Sequence, residues 1–261
     1  MPGAPTPDEL HVMLARGRWF ASLSMAQQRQ LVEAGTPRSL AAGQALFRRG
    51  DANSGLYAVL GGAIQVGASG SAAREAVLGV LEPPQWFGEI ACLDGGTRTH
   101  DARAQTAASL LHVPLAALLR LAEADPSWWR QLGRLLAEKT RALFAGLEDL
   151  ALQPAPVRVA RRLLAMSTGH GMRADGAALQ RLAVSQEQLG AMLSLTRQTV
   201  SEVLRDFEAE GWVRRRYGAV ELVDAAGLEA AVAAAIEAAT AGASSEISRS
   251  APVGGLRRPT K

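Results

Sequence analysis

The chain has 261 residues, 48% of them hydrophobic and 20% charged, which is soluble-globular composition with length for about two domains and excludes disorder as the default. No apolar run approaches the roughly 20 residues that cross a bilayer, MPGAPTPDEL lacks the basic-then-apolar pattern of a signal peptide, and the lone Cys92 excludes a disulfide framework or a multi-thiolate cluster. The formal charge of +3 is mild, but Lys139 and Lys261 are the only lysines, and arginine suits phosphate and guanine contacts; a cytoplasmic protein with no membrane partner is expected.

Residues 1–18 read as an N-terminal extension, and Trp19 to Gly35 as helix with Leu23, Met25, Leu31 and Val32 on its apolar positions. From about Arg38 to Val113 short apolar runs alternate with turn residues: Ala45 to Arg48, Gly55 to Leu60, Ala63 to Val66, Ala76 to Leu81, Ala102 to Ala104 and Ser109 to Val113. Such a pattern predicts a β-sandwich or roll. One segment departs from it. Trp86 to Ala91 places Gly88 and Glu89 at the start of a short helix, and Asp94 to Thr99 follows within one loop. Helix-terminal amides, a hydroxyl and the Arg98 guanidinium make a phosphate cradle, while Glu89 can accept from ribose hydroxyls, so a cyclic nucleotide would satisfy both. On these residues alone the stronger reading is plainer: Arg98 paired with Glu89 as a structural ion pair, and Gly95-Gly96 as a turn. Cys92 fits a small buried apolar position.

Pro126 to about Leu150 predicts a long helix whose stripe of Trp129, Leu132, Leu135, Leu136, Leu143 and Leu147 suits a two-helix seam, packing against the roll, or both. Pro154 and Pro156 stop it, making Gln153 to Pro156 a hinge before helix resumes over Val157 to Met166.

Ser185 to Asp224 carries the densest set of signals. Ser185 and Gln188 form a capping box, Leu189, Met192 and Leu193 give one apolar face, and a break falls at Ser194 and Leu195. A left-handed Ser194 would cost on the order of 1 kcal/mol. Thr196 caps a second helix with Val200, Val203, Leu204 and Phe207 inward and Arg197, Gln198, Ser201, Glu202 and Arg205 outward. Gly211 ends it, and Arg214 to Arg216, a Tyr217-Gly218 turn and Val220 to Val223 make a two-stranded ribbon. This is the layout of a winged helix-turn-helix, which binds DNA. The candidate contacts are Ser185, Thr196, Arg197, Gln198, Thr199, Ser201, Glu202, Arg205, Arg215 and Arg216; the bland alternative is a solvated charged face. Pro156 to Asp224 holds ten arginines against eight acidic residues, so the basic character is local. From about Ala241 the Ser, Gly and Pro content predicts a disordered tail.

These residues together resemble the Crp/Fnr family of bacterial transcription regulators, over about Trp19 to Val223. The matching phrases are Gly50-Asp51, Leu56 to Val59 with Gly62, Phe87-Gly88-Glu89, Arg98-Thr99 with Arg103-Ala104, Gln188-Leu189-Gly190 and Thr196 to Val200. The resemblance implies an α+β protein: an N-terminal jelly-roll-like cyclic nucleotide-binding domain (19–125), a long dimerisation helix (126–153), a C-terminal winged helix-turn-helix (154–228), and a helix end with the tail (229–261). By position Gly88 and Glu89 would contact a ribose, and Arg98 and Thr99 a cyclic phosphate. It implies a homodimer on a pseudo-palindromic double-stranded DNA operator, RNA polymerase as a partner, no required cofactor, and a small-molecule effector such as cAMP, cGMP or a cyclic dinucleotide. The chain departs from cyclic AMP-responsive members with Leu143-Phe144 in place of a Thr-Ser pair, which leaves base selectivity open, and with His100-Asp101 after the phosphate pair, either a titratable pair near the pocket or, the favoured reading, a polar loop. Gln198 and Glu202 replace Glu and Arg, so the operator should differ. The alternative is a regulator of this fold that needs no effector or takes another ligand. No Ser-His-Asp order, paired carboxylates, metal-spaced cluster or P-loop stands out, so neither catalysis nor a metal is expected, and His11, His100, His112 and His170 read as structural or solvated.

Overall fold

The computed structural model describes residues 5–69, 75–174 and 178–249. Helices α1 (Pro7–Leu14), α2 (Arg18–Ala21) and α3 (Met25–Glu33) open the chain. Capping boxes at Thr6 with Glu9 and at Ser24 with Gln27 start α1 and α3, so Ser24 splits the stretch expected as one helix.

Eight strands follow: β1 (Thr36–Leu40), β2 (Ala45–Phe47), β3 (Gly55–Gly61), β4 (Ile64–Ser69), β5 (Glu75–Leu81), β6 (Trp86–Phe87), β7 (Asp101–Ala104) and β8 (Ala108–Pro114), with α4 (Glu89–Asp94) between β6 and β7. They pair antiparallel into two sheets, β1-β8-β3-β6 and β2-β7-β4-β5. Each run of the sequence pattern is a strand here; β1 and β6 are additional. β1 buries only Leu40, and β6 is two residues long, so neither carries a period to read. In β3, Tyr57 and Val59 point between the sheets while Leu56, Ala58 and Leu60 point at the helices, so both faces are buried.

Helix α5 (Leu115–Ala124) leads into α6 (Ser127–Leu152), which divides the apolar stripe between two environments. Trp128, Leu132 and Leu135 sit in the core with α1 to α3, whereas Leu143, Phe144 and Leu147 are 60%, 58% and 50% exposed. Trp129, expected in the stripe, lies outward; its neighbour Trp128 is the buried ring.

Gln153 is extended and Pro154 caps α7 (Ala155–Ser167). Then come β9 (Arg181–Leu182), α8 (Gln186–Leu193), α9 (Arg197–Ala209), β10 (Val213–Arg216), β11 (Ala219–Leu222) and α10 (Ala225–Arg249). β9 pairs with β11, so the ribbon is the larger part of a three-stranded sheet. The tail expected from Ala241 is helical to Arg249, continuing the alanine-rich helix that begins at Ala225; residues 250–261 lie outside the described residues. Val77 and Val80 of β5 belong to the same apolar cluster as Leu189, Met192, Val200 and Phe207, so the two halves of the chain share a core.

Trp128→Ala should therefore lower stability by about 3–5 kcal/mol, and Trp129→Ala by no more than about 1 kcal/mol, as read from urea unfolding midpoints.

Candidate functional site

Gly88 has φ 98°, and a Cβ there would stand 2.7 Å from the Arg98 guanidinium and 2.9 Å from the Gly55 carbonyl oxygen. Only glycine leaves Arg98 room to pass. Arg98 is 3% exposed. Its Nη2 donates to Gly55 O at 2.6 Å and Ser54 Oγ at 3.0 Å, and its Nη1 to Gly88 O at 3.1 Å. Its guanidinium carbon lies 4.5 Å from the Phe47 ring centroid and 5.5 Å from that of Tyr57. The buried cation is held by carbonyls and ring faces, and its Nε has no hydrogen-bond partner among the described residues.

The Arg98–Glu89 ion pair does not form. Glu89, 3% exposed, accepts instead from Lys139 of α6, Nζ to Oε2 at 2.6 Å. That partner is 50 residues away in sequence, and no local signal could have named it. Thr99 is exposed with its Oγ1 2.8 Å from His100 Nδ1.

Gly88, Glu89, Arg98 and Thr99 all border one cavity of about 420 Å³. Lys139, Thr140 and Leu143 of α6 close a second side, and Met192 of α8 stands on a third. His100, expected in a polar loop, is part of this wall, where burial and Lys139 depress its pKa; Asp101 starts β7 and accepts from the Arg49 amide at 2.8 Å. Cys92 is buried, as expected, with its Sγ–H directed at Gly88 O at 3.3 Å, and burial raises its pKa.

The second surface is built around α8 and α9. Ser185 Oγ accepts from the Gln188 amide at 3.1 Å, and Gln188 Oε1 accepts from the Ser185 amide at 2.9 Å. Ser194 is left-handed, φ 53° and ψ 43°. A Cβ on Gly190 would meet the Leu195 carbonyl oxygen at 2.7 Å, so the turn can close this tightly only over glycine. Thr196 Oγ1 accepts from the Thr199 amide at 3.0 Å and starts α9. Val200, Val203, Leu204 and Phe207 are buried, which turns Arg197, Gln198, Glu202 and Arg205 into solvent with Ser201 half-buried. Gln198 donates to Glu202 at 3.0 Å along that face. The wing arginines are engaged within the protein: Arg215 Nε meets Glu208 Oε2 at 2.7 Å and Arg216 Nε meets Glu221 Oε1 at 3.1 Å. The Arg215 backbone N–H, which donates to Glu208 Oε1 at 2.8 Å, and then the Arg215 side chain hold the Glu208 carboxyl below its usual pKa, and the Arg216 side chain does the same for Glu221. Among the described residues no group of three His, Cys, Asp or Glu could hold a metal, and no helix is long and apolar enough to cross a membrane.

The family model for the cyclic nucleotide-binding domain matches residues 37–125, and that for the Crp-like helix-turn-helix domain matches residues 157–231. The chain is 33% identical over 187 residues to the cyclic AMP receptor protein of Thermus thermophilus, covering 72% of this chain and 83% of that protein. The chain belongs to the Crp/Fnr family. It is a DNA-binding transcription regulator of the Crp/Fnr type. It is also 29% identical over 202 residues to the CRP-like cAMP-activated global transcriptional regulator of Mycobacterium tuberculosis, covering 77% of this chain and 90% of that one. A solved CRP family transcriptional regulator from Thermus thermophilus is 26% identical, covers 75% of this chain and 96% of its own, and superposes with a TM-score of 0.58.

The histidines are held by the protein in this Crp/Fnr chain. His112 stacks on Tyr57 at 4.5 Å, and His11 meets Phe20 edge-on at 5.7 Å. His170 is left-handed, φ 58°, and burial beside Arg162 lowers its pKa to about 4. The unfolded chain takes up that proton first, near pH 6.5, so His170 favours the fold above that pH and the contribution is lost as pH falls toward 4. His170→Asn, which tolerates positive φ, should flatten the fall in melting temperature between pH 7 and pH 4.5; an unchanged slope would contradict it.

Proposed function

We propose that the protein acts as a parallel homodimer whose two α9 helices enter successive major grooves of a pseudo-palindromic operator, under control of a cyclic nucleotide in the 420 Å³ cavity. The observation that carries the reading is the division of α9. Its inner face is committed to the core, so Arg197, Gln198, Ser201, Glu202 and Arg205 point outward from its amino-terminal end, the end that meets base edges. Ser185 and Thr196 cap α8 and α9, and with Thr199 they would face the duplex. Arg215 and Arg216 lie on the wing as phosphate contacts that must share or leave Glu208 and Glu221.

Self-association is supported by the exposed Leu143, Phe144 and Leu147 on one helix. This divides the chain into a sensor (19–125), a dimerisation helix (126–153) and a DNA-binding domain (154–228), hinged at Gln153 to Pro156. In the cavity Glu89 would accept a ribose hydroxyl, with Gly88 admitting the sugar closely, and Arg98 and Thr99 would hold the cyclic phosphate. Relatives named for cyclic AMP make cAMP the first effector to test, then cGMP and cyclic dinucleotides. The remaining partner is RNA polymerase, the setting is the cytoplasm, and no residue is assigned to catalysis.

A second reading, regulation without a cyclic nucleotide, is favoured by two observations: Lys139 already engages Glu89, and Leu143-Phe144 offers a base no hydroxyl. Calorimetric titration separates the two. Heat with cAMP that is lost in Arg98→Gln supports the first, and no heat from any of the three nucleotides supports the second.

For the DNA side, Arg197→Ala should weaken binding to a selected operator by about 1–3 kcal/mol and relax one base position. Gel-shift titration at fixed salt measures it, and an unaltered affinity and base preference would exclude α9 as the reading element.

A further inference from the structure

The sensor sheet and the helix-turn-helix are joined by a polar contact that the functions assigned above do not use. Gln188 Nε2 donates to Gln65 Oε1 at 2.8 Å and to Gln105 Oε1 at 3.0 Å, 123 and 83 residues away in sequence. Gln105 Nε2 in turn donates to the Ala183 carbonyl at 2.6 Å, just before α8 begins.

Backbone partners fix the sense of each amide. The Ala183 carbonyl can only accept, so Gln105 turns its Nε2 there and its Oε1 toward Gln188. The Ser185 N–H can only donate, so Gln188 gives its Oε1 to the capping box and has its Nε2 left for the sensor. Gln188 thus starts α8 and ties it to another domain with one side chain. Gln65 is 7% exposed, and the contact borders the apolar cluster where Val77 and Val80 meet Met192 and Leu193. Apolar packing is non-directional and tolerates sliding, whereas three hydrogen bonds with defined geometry set an angle.

We infer that Gln188 is a positioning residue: through Gln65 and Gln105 it fixes the angle at which each helix-turn-helix is presented, so that both halves of a two-fold operator can be engaged at once. The inference rests on the dimeric reading above. When one half-site is bound, the second engagement is intramolecular, with an effective concentration set by how tightly the second reading head is held in place. Loosening the angle lowers that concentration and leaves each head's own affinity untouched.

The test compares a full two-fold operator with a single half-site by fluorescence anisotropy at one salt concentration, using wild type, Gln65→Leu/Gln105→Leu and the milder Gln105→Ala. Every substitution lies in the sensor domain, so α8, α9 and the wing keep all their own residues. The double variant should lose roughly tenfold or more of its full-operator affinity while its half-site affinity stays within about twofold, with Gln105→Ala in between. Unchanged full-operator binding overturns the inference, and so does tighter binding, which would make the contact a restraint. Equal loss on both DNAs overturns it too, by placing the defect inside the reading head. A wild type that binds both DNAs equally well fails the dimeric reading itself and takes the inference with it.

Discussion

Val77 and Val80 of β5 enter the same apolar cluster as Leu189, Met192 and Leu193 of α8, and most of what this molecule can do depends on that shared packing. Two domains joined only by the Gln153 to Pro156 break would move independently; here the sheet of one supplies part of the core of the other. The cavity bordered by Glu89 and Arg98 has Met192 in its wall, so whatever fills it touches the element that carries the reading helix. The cavity and the helix-turn-helix are thus in direct contact through Met192.

The polar side of the cavity has its own logic. Arg98 is desolvated and has no carboxylate partner among the described residues, resting instead on the carbonyls of Gly55 and Gly88 and on two rings beside the cavity. Glu89 is treated in the opposite way, neutralised by Lys139 from α6. A hydroxyl arriving at Glu89 would compete with Lys139 directly, and Lys139 belongs to α6, the helix that exposes Leu143, Phe144 and Leu147.

The sequence was most legible where the physics is local. Both caps of the helix-turn-helix, Ser185 and Thr196, and the buried set Val200, Val203, Leu204 and Phe207 follow from interactions within three or four residues, and each is found in place. The left-handed Ser194 follows from the same turn geometry. Strand runs in the roll were legible because their alternation repeats; β1 and β6 were not, since one has a single buried residue and the other is too short. In the α6 stripe Trp129 shares the helical phase of the exposed Leu143 and Leu147, while Trp128, which the stripe did not include, is the ring packed with Leu132 and Leu135. Lys139 on Glu89 and the Gln65–Gln105–Gln188 contact are products of folding between distant segments, and composition or spacing carries no trace of them.

The regulator account stands on the outward face of α9 and its pairing with a second copy. Hydroxyl-radical footprinting on an operator selected from random DNA tests this most directly. The account predicts two protected patches on one face of the duplex, related by a two-fold axis and centred about one helical turn, roughly 34 Å, apart. A single patch, or even protection without a two-fold centre, would contradict it.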